Sequence, residues 1–211
     1  MTKIDSKHGG GVFPDSVPFE HEKIPAIMMQ INHVLSEIGT QALPIGSCAT
    51  PTPGSVSNDL DMIVDADFLA NHFKTSNIKQ VRENLRALFT KAGFNTAQSG
   101  VSVHAKVKID NKAYQVDMMT VPKAAVAQKF HVHRIPVDSP YKGAHKHILL
   151  NKLAKMNNLL WSPYEGLYTR DQDNKKHKLY TDDIDQIARA LLGPNATGKD
   201  LDSVENMFAK L

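Results

Sequence analysis

One stretch of this sequence, residues 44 to 65 (PIGSCATPTPGSVSNDLDMIVD), constrains the fold and the chemistry more than any other. Gly46 and Ser47 end one short apolar run, and Asp59 and Asp61 open the next. Because side chains on a β-strand alternate between two faces, both carboxylates are predicted to share one face of a strand. Neighbouring carboxylates repel each other, and a divalent cation is the usual reason to keep them together. For the short Asp-x-Asp motif alone, an ordinary turn or helix cap is the favoured interpretation, and it is the upstream Gly46-Ser47 pair that favours a metal site.

A third carboxylate, Asp117, lies within a second strand-like run, YQVDMMTV at 114–121. A buried carboxylate without a partner is costly, so a metal ion shared with Asp59 and Asp61 would explain its presence there. The alternative is an exposed position on an edge strand. Alternation of apolar and polar residues is compatible with both.

The 211 residues, of which 41% are apolar and 22% charged, suffice for one substantial core or two small lobes. A single cysteine, Cys48, excludes an intrachain disulfide and argues against a cysteine-based zinc site. The sequence opens without an apolar signal segment and has no apolar run of about 18 residues. We therefore expect a cytoplasmic protein that does not enter a membrane.

Apolar periodicity predicts an α+β fold in which helices flank a mixed or antiparallel sheet. Helices are predicted at 24–38, 78–89, 143–156 and 184–192, with a short one within 200–211. Strands are predicted at 42–45, 60–64, 101–109, 112–121 and 159–168, and Asp110-Asn111 is the predicted turn of a hairpin. Residues 1–20, rich in glycine and proline, are predicted to form a flexible arm, and 122–142 a loop.

Charge is unevenly distributed along the chain. Residues 121 to 180 contain 11 lysines and arginines against 4 aspartates and glutamates, a net charge of +7. Because the whole chain carries +3, the remainder carries −4. A basic region beside an acidic site suits a polyanionic partner, and a solvated lysine-rich surface is the alternative.

Two histidine pairs in this basic region, His131 with His133 and His145 with His147, have a spacing that could chelate a metal from a strand. Neither pair has a cysteine or a nearby carboxylate to complete a zinc site. Exposed histidines in a segment that faces nucleic acid are the favoured interpretation.

Together, Ile45-Gly46-Ser47, Asp59-Leu60-Asp61-Met62 and Asp117 within QVDMM resemble the nucleotidyltransferase superfamily of DNA polymerase beta. The later segments YKGAHKHILLNKLAKMNNLLWSPYEGLYTR and LYTDDIDQIARALLG follow in the order found in family X DNA polymerases. The chain is most similar to minimal members that keep only a palm and a terminal nucleotide-binding subdomain. After the flexible arm at 1–20, this resemblance implies a nucleotidyltransferase palm at 21–138 and a small α/β C-terminal subdomain at 139–211.

The resemblance also implies a reaction: transfer of a nucleotide from a (d)NTP to a 3′-hydroxyl with two Mg²⁺ ions, or Mn²⁺ as a substitute. Asp59 and Asp61 would bind both ions, and Asp117 the ion that activates the hydroxyl. The other implied contacts are Gly46, Ser47, Ser57, Tyr141, Lys142 and Gly143 with the nucleotide, and Lys146 and Lys152 with a DNA primer-template or another nucleic acid. For Lys152, simple solvation on a helix surface is the alternative.

Some positions depart from the family pattern. Cys48, Ala49 and Thr50 stand where polymerases of the family carry arginines, and Ile148 stands where they carry asparagine. Residues 48–58 are therefore predicted to be where the substrate differs. Two further hypotheses follow, namely transfer to an RNA, protein or small-molecule hydroxyl, and a nucleic-acid-binding module whose site has lost activity.

Overall fold

The computed structural model describes residues 11–132, 135 and 138–211, and it has a mixed α+β fold. The chain divides into two compact units between Val121 and Pro122. The sequence placed this boundary near residue 138. It lies earlier because Ala124–His131 forms a helix whose Phe130 belongs to the core of the second unit.

The first unit is built on a five-stranded sheet with helices against it. Its strands are β1 Phe19–Glu20, β2 Leu43–Pro44, β3 Val56–Ser57, β4 Asp59–Asp65, β5 Asn95–Ser99, β6 Ser102–Ile109 and β7 Lys112–Val121, and its helices are α1 Ile24–Ser36, α2 Ala66–His72 and α3 Ile78–Lys91. The sheet has the order β2-β4-β7-β6-β5, while β1 and β3 pair separately. Only β4 and β7 run parallel among these neighbours, so the predicted mixed sheet with flanking helices is confirmed.

One face of this sheet is buried under the apolar stripes of the helices. Leu60 and Met62 of β4 lie in the same fully buried cluster as Ile27 of α1 and Phe89 of α3. Val116 of β7 joins them. Because side chains alternate along a strand, the aspartates of β4 and β7 lie on the opposite face.

The hairpin between β6 and β7 turns at Asp110 and Asn111, as predicted. Both residues have positive φ, 51° and 61°, which a two-residue turn of type I′ requires. The turn sets the register of the two strands, beginning with Ile109 opposite Lys112. This register determines which residues of β6 and β7 lie opposite each other along the rest of the hairpin.

Residues 12–17, here called the N-terminal strap, contradict the prediction of a flexible arm. Ser16 forms a parallel bridge with Ala113, and the Val17 amide donates to the Ala113 carbonyl over 2.8 Å. Immediately afterwards, Phe19 is buried and meets Tyr114 edge-on. The prediction was wrong here because hydrogen bonds to β7, which the local composition does not reveal, hold the segment in place. Residues 1–10 lie outside the described residues.

The second unit combines a three-stranded antiparallel sheet, in the order β10-β9-β8, with helices. Phe130, Trp161 and Ile187 are among its core residues. The elements are α4 Ala124–His131, α5 Gly143–Met156, β8 Leu159–Ser162, β9 Gly166–Arg170, β10 Lys176–Thr181, α6 Ile184–Leu192, a 3-10 helix Gly198–Leu201 and α7 Val204–Phe208.

Three expectations about secondary structure were wrong. The predicted loop after Val121 contains α4, because Pro122 precedes the helix and leaves an alanine-rich segment free to form it. The predicted strand 159–168 is two strands, β8 and β9, joined by a turn that ends at Gly166. β5 was missed because its sequence, NTAQS, is a polar edge strand without apolar alternation.

Gly166 is expected to be essential for the stability of the second unit. Its φ is +109°, and a Cβ at this position would lie 2.5 Å from the Thr181 carbonyl oxygen. Gly166→Ala should therefore combine backbone strain with a clash against backbone, and lower the free energy of unfolding by about 3 kcal/mol. Urea denaturation followed by the fluorescence of Trp161 measures it, since this is the only tryptophan.

Gly193 is the matched control for this substitution. Its φ is +108°, but nothing lies within 4 Å of a Cβ built there. Gly193→Ala should cost only the backbone strain, about 1 to 2 kcal/mol. Equal losses for the two variants would show that the close approach to Thr181 is unimportant.

Candidate metal and nucleotide site

Three carboxylates meet on the open face of the first unit's sheet. Asp61 of β4 lies directly opposite Asp117 of β7 in the parallel register, and Asp59 lies two residues earlier on the same face. Each can offer an oxygen such that the three oxygens lie within 4.8 Å of one another. The structure thus brings together the three aspartates that the sequence singled out, and the edge-strand alternative for Asp117 is wrong because β7 is central in the sheet.

The electrostatics of this group, here called the triad, reflect its crowding. Withdrawal from solvent, and then the charges of Asp59 and Asp117, raise the pKa of Asp61 to about 7. The pKa of Asp59 is also raised, first by burial and then by the charge of Asp117. Asp61 is exposed, so its carboxylate is only partly desolvated. Without a cation, the triad therefore resists carrying three full charges near neutral pH.

Gly46 and Ser47 lie beside the triad. The Ile45 amide donates to the Asp61 carbonyl over 3.0 Å, which places the following turn next to β4. Gly46 has φ +61°, and a Cβ built there would lie 3.9 Å from Asp61 Oδ2. Glycine allows this turn without strain and brings the backbone of the Gly-Ser motif close to a triad carboxylate.

Two hydroxyls converge beyond this turn. Ser47 Oγ lies 3.4 Å from Ser57 Oγ, although a proline-rich loop separates them in sequence. Sequence reasoning proposed both serines for phosphate binding, and the structure places them side by side. Hydroxyls can donate to phosphate oxygens, so two neighbouring hydroxyls can bind an anion.

His21 orients this hydroxyl pair, and sequence reasoning missed it. The Thr52 amide donates to His21 Nδ1 over 3.1 Å, so the proton of the neutral ring is on Nε2. Nε2 lies 2.9 Å from Ser57 Oγ and donates to it, which leaves the Ser57 proton for another acceptor. His21 is buried. No sequence signal pointed to it, because the contact joins a short 3-10 helix, His21–Lys23, to the end of β3, and the two residues lie far apart in the chain.

Cys48 occupies one of the positions where arginines were expected, and it turns inward. Its Sγ lies 3.6 Å from Ser57 Oγ and 3.8 Å from the Asp59 carbonyl oxygen. Burial raises the pKa of the thiol, so it stays protonated at neutral pH. Cys48 is therefore a packing residue beneath the loop rather than a nucleophile.

Two more residues missed in the sequence, His104 and Gln115, contact Asp117. His104 Nδ1 lies 2.7 Å and Gln115 Nε2 2.9 Å from Asp117 Oδ1. A signal for His104 existed: a two-residue turn at 110–111 places residue 104 opposite residue 117, as the register shows. The predicted hairpin could therefore have identified His104.

The other predicted contact residues belong to the second unit. Tyr141 and Lys142 are exposed just before α5, and Gly143 is its first residue. Lys152 is exposed on α5.

Lys146 does not fit its predicted role in nucleic-acid binding. Its side chain is only 3% exposed, and Nζ donates to the Val132 carbonyl over 3.2 Å. Burial lowers the pKa of this lysine to about 8. A lysine that contacts phosphates needs an accessible ammonium group, so Lys146 is better described as a buried residue of the second unit.

The histidines are not simply exposed. The rings of His131 and His147 lie 4.7 Å apart and are partly buried, and Trp161 Nε1 donates to His147 Nδ1 over 3.4 Å. His145 is exposed, and His133 lies outside the described residues. Within the described part of the chain, the group of three or more side chains placed to hold a metal ion is the aspartate triad.

No protein-family model matches this chain, and no curated protein matches its sequence. Among the described residues, no helix is both long enough and apolar enough to cross a membrane.

Proposed function

We propose that this protein is a nucleotidyltransferase similar to a reduced family X DNA polymerase, with the first unit as its catalytic palm. One observation carries the proposal: Asp61 and Asp117 lie opposite each other on adjacent parallel strands, with Asp59 on the same face. The Gly46-Ser47 turn lies beside Asp61. Three converging carboxylates next to a glycine-serine turn suit transfer of a phosphoryl-linked group rather than attack by a protein nucleophile.

The donor set fits Mg²⁺, with Mn²⁺ as a substitute. Carboxylate oxygens are the ligands that Mg²⁺ prefers, and Asp59, Asp61 and Asp117 can offer three of them within 4.8 Å. When bound, two such ions would supply charge neutralisation at the phosphates and a lowered pKa for the attacking hydroxyl. The raised pKa of Asp61 is consistent with a site arranged to hold a cation.

The triphosphate of the nucleotide would lie against Ser47 and Ser57. Their hydroxyls are neighbours, and His21 donates to Ser57 so that the Ser57 proton is available to a phosphate oxygen. Family polymerases hold phosphate charge with arginines at the positions of Cys48 to Thr50. Here neutral hydrogen-bond donors replace those arginines. This supports either a substrate different from that of the family polymerases or weaker binding of the triphosphate.

A nucleic-acid acceptor is supported by exposed basic residues in the second unit. Lys152 and Lys155 are exposed on α5, and Lys178 is exposed on β10. Contacts of this kind with phosphates release counterions, so binding of a primed duplex should weaken steeply as salt increases.

The proposal is tested by supplying Mg²⁺ and labelled NTPs or dNTPs together with different acceptors. The acceptors are a primed or gapped DNA duplex, a DNA single strand, an RNA and the protein itself. Extension of the primed duplex is the expected result. Labelling of RNA, protein or a small hydroxyl compound would support nucleotidyl transfer but show that the acceptor is not a DNA primer. If no acceptor is labelled but the protein still binds the duplex in a salt-sensitive way, the proposed nucleotidyltransferase activity is contradicted. That result would favour an inactive nucleic-acid-binding module.

Ser57→Ala should raise the KM for the nucleotide about tenfold and change kcat much less. The reason is the loss of one hydrogen bond to a charged phosphate, worth about 1.5 kcal/mol. Steady-state kinetics with the best nucleotide measures both constants.

Ser55→Ala is the control, because it removes an equivalent hydroxyl two residues earlier in the sequence, just before β3. It should leave KM within about twofold. A Ser55→Ala effect as large as that of Ser57→Ala would show that the Ser47 and Ser57 hydroxyl pair has no special role.

A further inference from the structure

Asp117 is held more firmly than the other two triad carboxylates. Its Oδ1 accepts two hydrogen bonds, from His104 Nδ1 at 2.7 Å and Gln115 Nε2 at 2.9 Å. Both donors are buried, with exposed fractions of 5% for His104 and 1% for Gln115. An oxygen of a carboxylate has two lone pairs, so these bonds occupy Oδ1 and leave Oδ2 with capacity for a further ligand.

Each donor is held in turn from its far side. His104 Nε2 lies 2.7 Å from Ser99 Oγ, which anchors the ring with Nδ1 facing the carboxylate. Gln115 Oε1 accepts from the Val12 amide at 3.1 Å and from the Phe13 amide at 3.4 Å. These amides fix which end of the Gln115 side chain faces Asp117.

The amides that hold Gln115 belong to the N-terminal strap, which is itself anchored. Lys106 Nζ lies 2.9 Å from Asp15 Oδ2, and the same ammonium group lies 5.7 Å from the centre of the Phe13 ring. The parallel bridge from Ser16 to Ala113 adds backbone pairing. A continuous set of contacts therefore connects the strap to a triad carboxylate through one glutamine.

We propose that His104 and Gln115 are positioning residues, supported by Ser99 and the strap, that keep Asp117 turned toward a cation shared with Asp59 and Asp61. This inference rests on the proposed function, because it assumes the cation. Asp117 and Asp61 are opposite neighbours of like charge, and mutual repulsion favours rotation of Asp117 away from the pair. Two donors on Oδ1 oppose that rotation. Hydrogen-bonded partners of metal ligands act in this way and commonly change metal affinity about 10- to 100-fold.

The test is direct titration of the full chain with Mn²⁺, with the free ion followed by its electron paramagnetic resonance signal. His104→Leu removes the donor at similar volume and should weaken Mn²⁺ binding about 10- to 100-fold. His104→Asn keeps a donor near the position of Nδ1 and should restore affinity to within about threefold of wild type. If His104 had a purely structural role, the presence of a donor in His104→Asn would not give it a higher Mn²⁺ affinity than His104→Leu.

Gln115→Met gives an independent measurement from the other side of Asp117. It keeps the length of the side chain but removes the donor, and should weaken Mn²⁺ binding about tenfold. If His104→Leu does not fold, the exposed Ser99→Ala variant removes only the support of the ring, with an expected loss of about three- to tenfold. Thermal unfolding of each variant verifies that the protein titrated is folded.

The two possible failures are distinguishable. Folded His104→Leu and Gln115→Met proteins that bind Mn²⁺ as tightly as wild type would overturn the positioning role while leaving the metal site in place. A wild-type protein that does not bind Mn²⁺, or an Asp61→Asn variant that binds it equally well, would overturn the metal site and the positioning role together.

Discussion

Asp61→Asn should abolish nucleotidyl transfer, with kcat falling about a thousandfold or more. Asparagine keeps the shape of the side chain but removes the charge that lies opposite Asp117. A bound cation would lose a charged ligand, and a thousandfold fall corresponds to about 4 kcal/mol of transition-state stabilisation. Single-turnover transfer of a labelled nucleotide at saturating Mg²⁺ measures the effect on chemistry separately from product release.

Asp67→Asn is the control for this variant. Asp67 is exposed in the first turn of α2, so its substitution makes the same change in charge on the surface of the same unit. Activity of this control should stay within about twofold of wild type. Retention of full activity by Asp61→Asn would contradict a metal-dependent reaction at the triad.

The same Asp61→Asn substitution should stabilise the protein in EDTA at pH 8. The pKa of Asp61 is raised from 3.8 to about 7 in the folded protein, so the folded state favours the protonated carboxyl. The wild type therefore loses stability from this group as pH rises from about 4 through 7, whereas the asparagine variant does not. Because Asp61 is exposed and solvent screens its charge, the expected gain at pH 8 is about 1 to 2 kcal/mol.

Urea denaturation of both proteins at pH 4 and pH 8 measures this difference together with the repulsion between Asp61 and the other triad carboxylates, since titrations of groups away from the triad are common to both. The two proteins should have nearly equal stability at pH 4, and the variant should be more stable at pH 8. Mg²⁺ at pH 8 should then stabilise the wild type selectively, because a ligand stabilises the state that binds it. A variant less stable than wild type at pH 8 in EDTA would show that the triad carries its charge without strain.

Much of the first unit follows from local sequence patterns. The period-two pattern of β4 predicted that Asp59 and Asp61 share a face, and burial of Leu60 and Met62 on the other face agrees with it. The Asp110-Asn111 turn was likewise predictable, because few dipeptides adopt two positive φ angles readily. These features depend on neighbours in sequence, which is the information that periodicity contains.

Other features depend on contacts between distant segments and have no local pattern. The hydrogen bond from His21 to Ser57 joins a 3-10 helix to the end of β3, and the Val17 amide of the strap donates to the Ala113 carbonyl of β7. Burial of Lys146 could not be read from its position on an amphipathic helix, because lysine is usually solvated there. Tertiary packing decided each of these.

The two-residue turn at Asp110-Asn111 has a consequence for how this chain can vary in evolution. Surface turns usually tolerate insertions and deletions, because little packs against them. Here the length of the turn sets the strand register that places His104 opposite Asp117, far along the same hairpin. One added residue would shift that pairing or leave a bulge, and a one-residue shift turns His104 to the other face. The length of this exposed turn therefore determines whether His104 can contact Asp117, several residues away along the same hairpin.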